Sequence, residues 1–107
     1  MKYVGLKAGS WSVEGLVLTE SFFERFRGVN LSAAGRGIVI RRSAVHTMGM
    51  SRAIETVAVD GRGRVVEVRT LYPNRFAWFR GAQYLVELPA GTGVPEVGSL
   101  VEMADVG

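Results

Sequence analysis

Residues 54 to 68 carry the strongest local fold signal in the chain, an alternation of apolar and other side chains on both sides of a glycine-rich turn. The turn has the sequence Asp60-Gly61-Arg62-Gly63. It is typical of a type I turn followed by a glycine in the left-handed region, which is the G1-bulge connection of a β-hairpin. Because a period of two residues fits a strand and not a helix, this part of the chain is predicted to be antiparallel β-structure.

The predicted register of this hairpin sets a carboxylate among valines. We place Val57 opposite Val66, and Glu55 opposite Val68. Alternation along each strand then puts Glu55 on one face with a set of valines, namely Val57, Val59, Val66 and Val68. Burial of an unpaired carboxylate is costly or forces its protonation, so we expect Glu55 to have a partner or to lie at the rim of the core.

Short apolar and β-branched runs elsewhere predict further strands, separated by spacers rich in Gly, Pro, Ser and Arg. The predicted strands are Lys2 to Lys7, Ser12 to Leu18, Gly37 to Arg41, Ala44 to Met48, Ala53 to Val59, Arg64 to Arg69, Gln83 to Leu88 and Leu100 to Met103. Together with one helix, these seven or eight strands predict a mainly β fold. We expect a small, mainly antiparallel β-barrel or sandwich with the helix plugging one side or end.

The single predicted helix covers chiefly Glu20 to Arg27. Ser21 and Glu24 have the spacing of a capping box, and the element ends before Gly28. Three phenylalanines fall on one face at helical spacing, which favours a place in the core over a role as ligand contacts. They are Phe22, Phe23 and Phe26.

Length and composition indicate one compact domain. With 107 residues the chain is long enough to bury one core and too short for two. Hydrophobic residues make up 48% and charged residues 21%, which argues against disorder. No apolar run approaches the roughly 20 residues needed to span a bilayer, and the first residues lack the apolar stretch of a signal peptide. We therefore expect a cytoplasmic monomer that does not enter membranes.

Several kinds of chemistry are excluded by residue counts. The chain has no cysteine, so it has no disulfides, thiolate nucleophiles or cysteine-ligated metals. One histidine is too few for a typical all-protein zinc site, and we expect no metal and no cofactor. With no cysteine and only three asparagine and glutamine residues together, the composition resembles that of heat-adapted proteins.

The charge of the chain permits an anionic ligand without demanding one. The net charge is +3, and arginine supplies 11 of the 13 cations. Arginine forms planar bidentate contacts with carboxylate or phosphate groups. Spread over the whole chain, this excess would neutralise only a few phosphates, so nucleic-acid binding is the weakest of the functional alternatives.

Two stretches carry a family resemblance: HTMGMSRAIETVAVDGRGRVVEV at 46–68 and AQYLVELPAGT at 82–92. They resemble the signature stretches of domain-of-unknown-function family 192, small bacterial and archaeal proteins whose pattern reads roughly HTFGMRFPIDVVFLDxDGRVV and then ALELPAGT. TESFFERFRGV at 19–29 stands where that family has a short helix, and GIVI at 37–40 where it has a strand. The family has no established activity, so the resemblance implies a related fold but no particular reaction.

The departures from the family pattern bear on the candidate site. Ala53 stands where the family has proline, and Glu55 where it has aspartate. The stretch after Gly91 is shorter than in the family, which leaves the presence of a C-terminal helix open. Arg27 and Arg52 match arginines of the family pattern, and the resemblance makes them candidate partners of Glu55. A structural ion pair or a position at the rim is the alternative to a catalytic or ligand-binding role for this group.

His46, the only histidine, lies shortly before Glu55 in the chain. If the segment from Val45 is extended, His46 points the same way as Met48 and Met50, and such nitrogen and thioether ligands suit Cu(I). The favoured alternative is that the methionines fill core gaps while His46 makes a hydrogen bond. His46 and Glu55 together also form a candidate acid/base pair.

Residues 72 to 80, YPNRFAWFR, interleave four aromatic side chains with two arginines, in a segment that Pro73-Asn74 predicts to be a loop. Aromatic faces such as that of Trp78, beside guanidinium groups, suit a flat or anionic ligand or single-stranded nucleic acid. The favoured alternative is a loop that folds its aromatic rings over an open end of the barrel.

These observations predict a binding or accessory domain with a cleft near His46, Glu55 and the 72–80 segment, and with an unknown small molecule or protein as its partner. The predicted ligand contacts are Arg27, His46, Arg52, Glu55 and Trp78. The alternative is a small hydrolase-like enzyme that acts on a carbohydrate or another small substrate through Glu55 and His46. Whether the chain is an enzyme stays open at this point.

Overall fold

The computed structural model describes residues 2–19 and 37–105, which form nine strands. They are β1 Lys2–Ala8, β2 Trp11–Thr19, β3 Ile38–Ile40, β4 Ala44–His46, β5 Ile54–Val59, β6 Val65–Leu71, β7 Phe76–Trp78, β8 Tyr84–Pro89 and β9 Glu102–Asp105. The described part of the chain contains no helix, and so none that is long and apolar enough to cross a membrane. The predicted helix Glu20 to Arg27, with the candidate residue Arg27, lies outside the described residues.

Seven of the strands form one sheet in the order β6-β5-β8-β3-β2-β1-β9. All neighbours are antiparallel except β2 and β3, which run parallel. The fold is therefore mainly antiparallel β, as the sequence predicts. The strand predicted at Lys2 to Lys7 is confirmed as β1, whereas the one predicted at Leu100 to Met103 lies two residues later, as β9.

The closed barrel is the part of the fold prediction that fails, because the edge strands β6 and β9 do not pair with each other in the described structure. They approach only at one end, through a single bridge between Arg64 and Leu100. Backbone hydrogen bonds from Val65 N to Ser99 O, 2.9 Å, and from Val101 N to Gly63 O, 2.7 Å, hold that end together. Since β9 pairs with β1 immediately afterwards, the chain cannot follow β6 any further.

The remaining two strands, β4 and β7, pair antiparallel as a separate two-stranded unit, called the β4–β7 ribbon below. Strand β7 corrects the prediction of a loop at residues 72 to 80. Its partner β4 lies about 30 residues earlier in the chain, so no local sequence pattern predicts that the two strands pair. Residues 72–75, which include Pro73, connect β6 to β7, and residues 79 and 80 follow β7 outside the strand.

Two hydrophobic clusters lie on opposite faces of the large sheet. The first joins the sheet to the inner face of the ribbon and consists of Ile38, Ile40, Val45, Ile54, Ala58, Leu71, Ala77, Phe79 and Leu85. The second gathers side chains from β1, β2, β3, β5, β6 and β8. It consists of Val4, Leu6, Leu16, Val39, Val57, Val59, Val65, Val86 and Leu88. Burial of apolar surface in the first cluster is what fixes the ribbon to the sheet.

The turn between β5 and β6 has the predicted form. Gly63 has a φ of +86°, and its amide donates to Asp60 O at 3.0 Å. The Asp60 carboxylate accepts from the amides of Arg62 and Arg64, each at 2.9 Å. These bonds, led by the one from Arg64, hold the pKa of Asp60 below its ordinary value of 3.8.

The register of this hairpin differs by two residues from the predicted one. Val57 lies opposite Val68 and not Val66, and Glu55 lies opposite Thr70 and not Val68. The turn is closed by the hydrogen bond from Asp60 N to Arg64 O. A β-bulge follows: Ala58 lies opposite Glu67 and Val59 opposite Val65, so Val66 is an extra residue in β6. A shift of two keeps the face of Glu55 unchanged, but it removes Val66 from that face and leaves it exposed.

Candidate functional site

The outer face of the β4–β7 ribbon presents two large aromatic side chains to solvent. Trp78 lies opposite Ala44, and Phe76 lies opposite His46. The exposed fractions are 74% for Phe76 and 60% for Trp78. Between them Ala77 is buried in the first cluster, because alternate residues of a strand point to opposite faces. On β7 the small Ala77 thus points inward and the two large rings point outward.

A shallow, open groove of about 520 Å³ runs beside this face. The described residues that line it are Arg41, Arg42, Ser43, Ala44, Val45, His46 and Phe76. Arg41 and Arg42 are exposed, and His46 is half-buried. The groove therefore combines one stacking ring with guanidinium groups and an imidazole, and Trp78 stands next to it on the same strand as Phe76.

Thr47 fixes the turn that leads into the ribbon. Its side chain is fully buried, and its hydroxyl donates to Tyr72 O at 2.7 Å and accepts from Arg75 N at 2.8 Å. Its backbone adds a bond from Thr47 N to Arg75 O at 2.7 Å and one from Asn74 N to Thr47 O at 2.9 Å. These hydrogen bonds tie the backbone that leads into β7 to the end of β4.

The structure separates His46 from the methionines that the sequence set beside it. Strand β4 ends at His46, and a turn follows in which Met50 N donates to Thr47 O at 3.2 Å. The His46 Nδ1 accepts from Met48 N at 3.2 Å. Met48 is exposed, whereas Met50 packs against the first cluster. The extended conformation on which a Cu(I) site depended is therefore absent between His46 and Met50.

Charge is concentrated on the ribbon and its flanks. The segments 41–53 and 72–83 contain five arginines and no aspartate or glutamate. The rest of the chain then holds eight of the 13 cations and all ten acidic residues, which gives it a net charge of −2. The described lining of the groove contains two arginines and no acidic residue, so the arginines are less evenly dispersed than the whole-chain charge suggested.

Glu55 lies away from the described lining of this groove. It is half-buried on β5, and its carboxylate accepts a hydrogen bond from the Thr70 hydroxyl at 2.7 Å across the β5–β6 pair. Arg52 is exposed in the connection before β5, and in the described part of the chain no ion pair links it to Glu55. The geometry brings together His46, Phe76 and Trp78, and it does not bring Glu55 or Arg52 into contact with them.

Sequence reasoning missed a second carboxylate, Glu87, which is fully buried in the interior strand β8. It lies between Ile38 of β3 and Thr56 of β5. The hydroxyl of Thr56 is buried too, and it has no hydrogen-bond partner among the described residues. The signal in the sequence was the one that singled out Glu55, a carboxylate inside an apolar strand. Because Glu87 has no exposed surface, a ligand does not reach it in this conformation.

Comparisons with known proteins do not assign this arrangement to a characterised group. No protein-family model, no curated protein and no solved structure matches the chain. The resemblance to family 192 therefore stays a prediction.

Proposed function

We propose that this protein is a binding domain whose site is the outer face of the β4–β7 ribbon together with the groove beside it. The observation that carries the proposal is the exposure of Phe76 and Trp78 on a rigid strand, next to a groove lined by arginines. The ligand class that matches these groups has a planar apolar part and a negative charge.

Each component of the site contributes a different part of recognition. An aromatic ring that is exposed in the free protein gains from stacking and from removal of apolar surface when a flat ligand covers it. The guanidinium of Arg42 offers a planar pair of donors to a carboxylate or phosphate. Because the Thr47 hydrogen bonds already hold the ribbon, binding costs little ordering of the backbone.

The geometry favours this proposal over an enzyme that works through Glu55 and His46. General acid/base catalysis needs both groups within hydrogen-bond reach of the same substrate. His46 lines the groove, whereas the Glu55 carboxylate is bonded to Thr70 on a different pair of strands. Membership of family 192 is also proposed, and it rests on the two signature stretches alone.

The two tryptophans supply an internal control for a test by NMR. The Trp78 side chain is exposed on the ribbon, whereas the Trp11 indole NH donates to Gly93 O at 2.7 Å in another part of the fold. Titration with naphthalene-2-sulfonate, a planar anion, is expected to shift the Trp78 indole resonance and the amide resonances of β4 and β7. The Trp11 resonance is expected to stay in place.

Cyclohexanecarboxylate, which is an anion without a planar ring, serves as the matched ligand control and is expected to cause much smaller shifts. Equal shifts at both indoles would indicate nonspecific contact and would contradict the proposal. Perturbations confined to residues around Glu55 and Thr70 would move the site to β5 and β6.

A further inference from the structure

The spacing of the exposed rings suggests the form of the ligand. Phe76 and Trp78 are two residues apart on β7, so their side chains leave the strand about 7 Å apart. In a duplex, successive bases of one strand are only about 3.4 Å apart. Two neighbouring bases can therefore stack on the two rings only if the spacing between the bases increases to about 7 Å. A flexible single strand allows this increase, whereas base pairing in a duplex prevents it.

The cations flank the rings at both ends. Arg75 directly precedes Phe76 at one end of β7. Arg42 and Arg80 lie at the other end of the ribbon. There the strands stay together beyond the pair of Ala44 and Trp78, because Phe79 N donates to Ser43 O at 2.7 Å. Arg42, Arg75 and Arg80 are exposed. Among the described residues none of these three forms an ion pair within 4.0 Å.

We propose that the ligand of the ribbon is single-stranded nucleic acid, with bases stacked on Phe76 and Trp78 and phosphates paired with the flanking arginines. This inference rests on the proposed function and names its ligand class. Exposed aromatic rings along a cationic track are the two features that single-strand binders combine. The absence of acidic residues from segments 41–53 and 72–83 removes the repulsion that a polyanion would otherwise meet.

A polymeric ligand matches this surface better than one small molecule does. The groove is open and shallow, so it encloses no ligand, and the cations extend past both ends of the ring pair. A mononucleotide brings one ring and one phosphate group, and it uses only part of these contacts. An acidic protein segment supplies charge without a planar ring at each step, and it leaves the exposed tryptophan without a stacking partner.

The test measures fluorescence anisotropy of a labelled oligodeoxythymidylate of about 12 nucleotides, a length within the site sizes of single-strand-binding domains. Wild-type protein is expected to bind the single strand at least about tenfold more tightly than a duplex of the same length. If three to five arginines contact phosphates, affinity should fall roughly 20- to 100-fold between 50 and 200 mM salt.

Two pairs of variants separate stacking from charge. Trp78→Leu keeps an apolar side chain but removes the stacking face, and it is expected to weaken binding at least about fivefold. Its control, Tyr3→Leu, removes an exposed aromatic ring from β1. Arg42→Gln is expected to reduce the salt slope by about 0.7. Its control, Arg62→Gln, removes the same charge from the exposed β5–β6 turn. Both controls are expected to bind like wild type.

The outcomes distinguish this inference from the proposed function. If naphthalene-2-sulfonate shifts the Trp78 indole but the oligonucleotide binds no more tightly than thymidine monophosphate, the binding domain stands and the single-strand inference falls. Binding of heparin or polyglutamate as tightly as the oligonucleotide, with no effect of Trp78→Leu, overturns the inference in favour of an acidic partner. Since a variant can misfold, the Trp78 indole of the wild-type protein is also followed, and an unchanged resonance at saturating oligonucleotide overturns it as well.

Discussion

The hydrogen bonds of Thr47 make a prediction about stability that can be worked from the structure. Thr47→Val keeps the shape of the side chain and removes its bond to Tyr72 O and the bond that it accepts from Arg75 N. Each such bond contributes about 1 kcal/mol. Because Tyr72 and Arg75 are exposed residues, water replaces the lost partner of their backbone groups, and no penalty for an unsatisfied buried group is added. We therefore expect the free energy of unfolding to fall by about 2 kcal/mol.

Thermal unfolding followed by circular dichroism measures this loss, which corresponds to a decrease in Tm of roughly 10 °C for a domain of this size. The control is Thr47→Ser, which keeps the hydroxyl and loses one buried methyl group, at a cost of about 1 kcal/mol. A valine variant as stable as wild type, or more stable than the serine variant, would show that the hydroxyl does not hold the ribbon.

Three further outcomes are expected from the same structure. Gly63→Val is expected to cost about 1 to 2 kcal/mol in urea unfolding, since Gly63 has a φ of +86° and a Cβ there would lie 3.2 Å from Val101 O. The pKa of Asp60 is lowered from 3.8, so the contribution of its carboxylate to the free energy of unfolding is complete above pH 3.8 and is lost as the pH falls through the pKa of the folded protein. In acid titrations of stability, Asp60→Asn is expected to lack this loss. Burial raises the pKa of Tyr84 from 10.0 to about 12, so stability is expected to fall as the pH rises through that interval, and Tyr84→Phe is expected to be insensitive to it.

Local patterns predicted the parts of the fold that depend on local chemistry. The alternation that ends at Val59 and the glycine with positive φ at Gly63 are properties of a few neighbouring residues, and the hairpin has the predicted turn. The residues of β8 were likewise found from their apolar run. Each of these signals lies within one strand or one turn, where sequence and conformation are directly linked.

The parts that were missed depend on distant pairing. Strand β7 has only three residues and follows Pro73-Asn74, so its strand character comes from β4 and from the burial of Ala77. The predicted site included Glu55, whose carboxylate is hydrogen-bonded to Thr70 on the adjacent strand. That partner is known only once the register of the two strands is known. Glu87 carried the same signal as Glu55, but only the strand order shows that β8 has a neighbour on each side. A one-dimensional pattern contains none of these three facts.

The division of the ribbon into two faces bears on how its aromatic residues are interpreted. A segment that serves to cover an open end of a core buries its largest rings, because large apolar side chains gain most from burial. Here Phe79 is fully buried and provides that gain, whereas Phe76 and Trp78 on the outer face are 74% and 60% exposed. The ribbon is anchored by Val45, Phe79 and the hydrogen bonds of Thr47. The outer rings contribute little to the core, and the proposed binding face rests on their exposure.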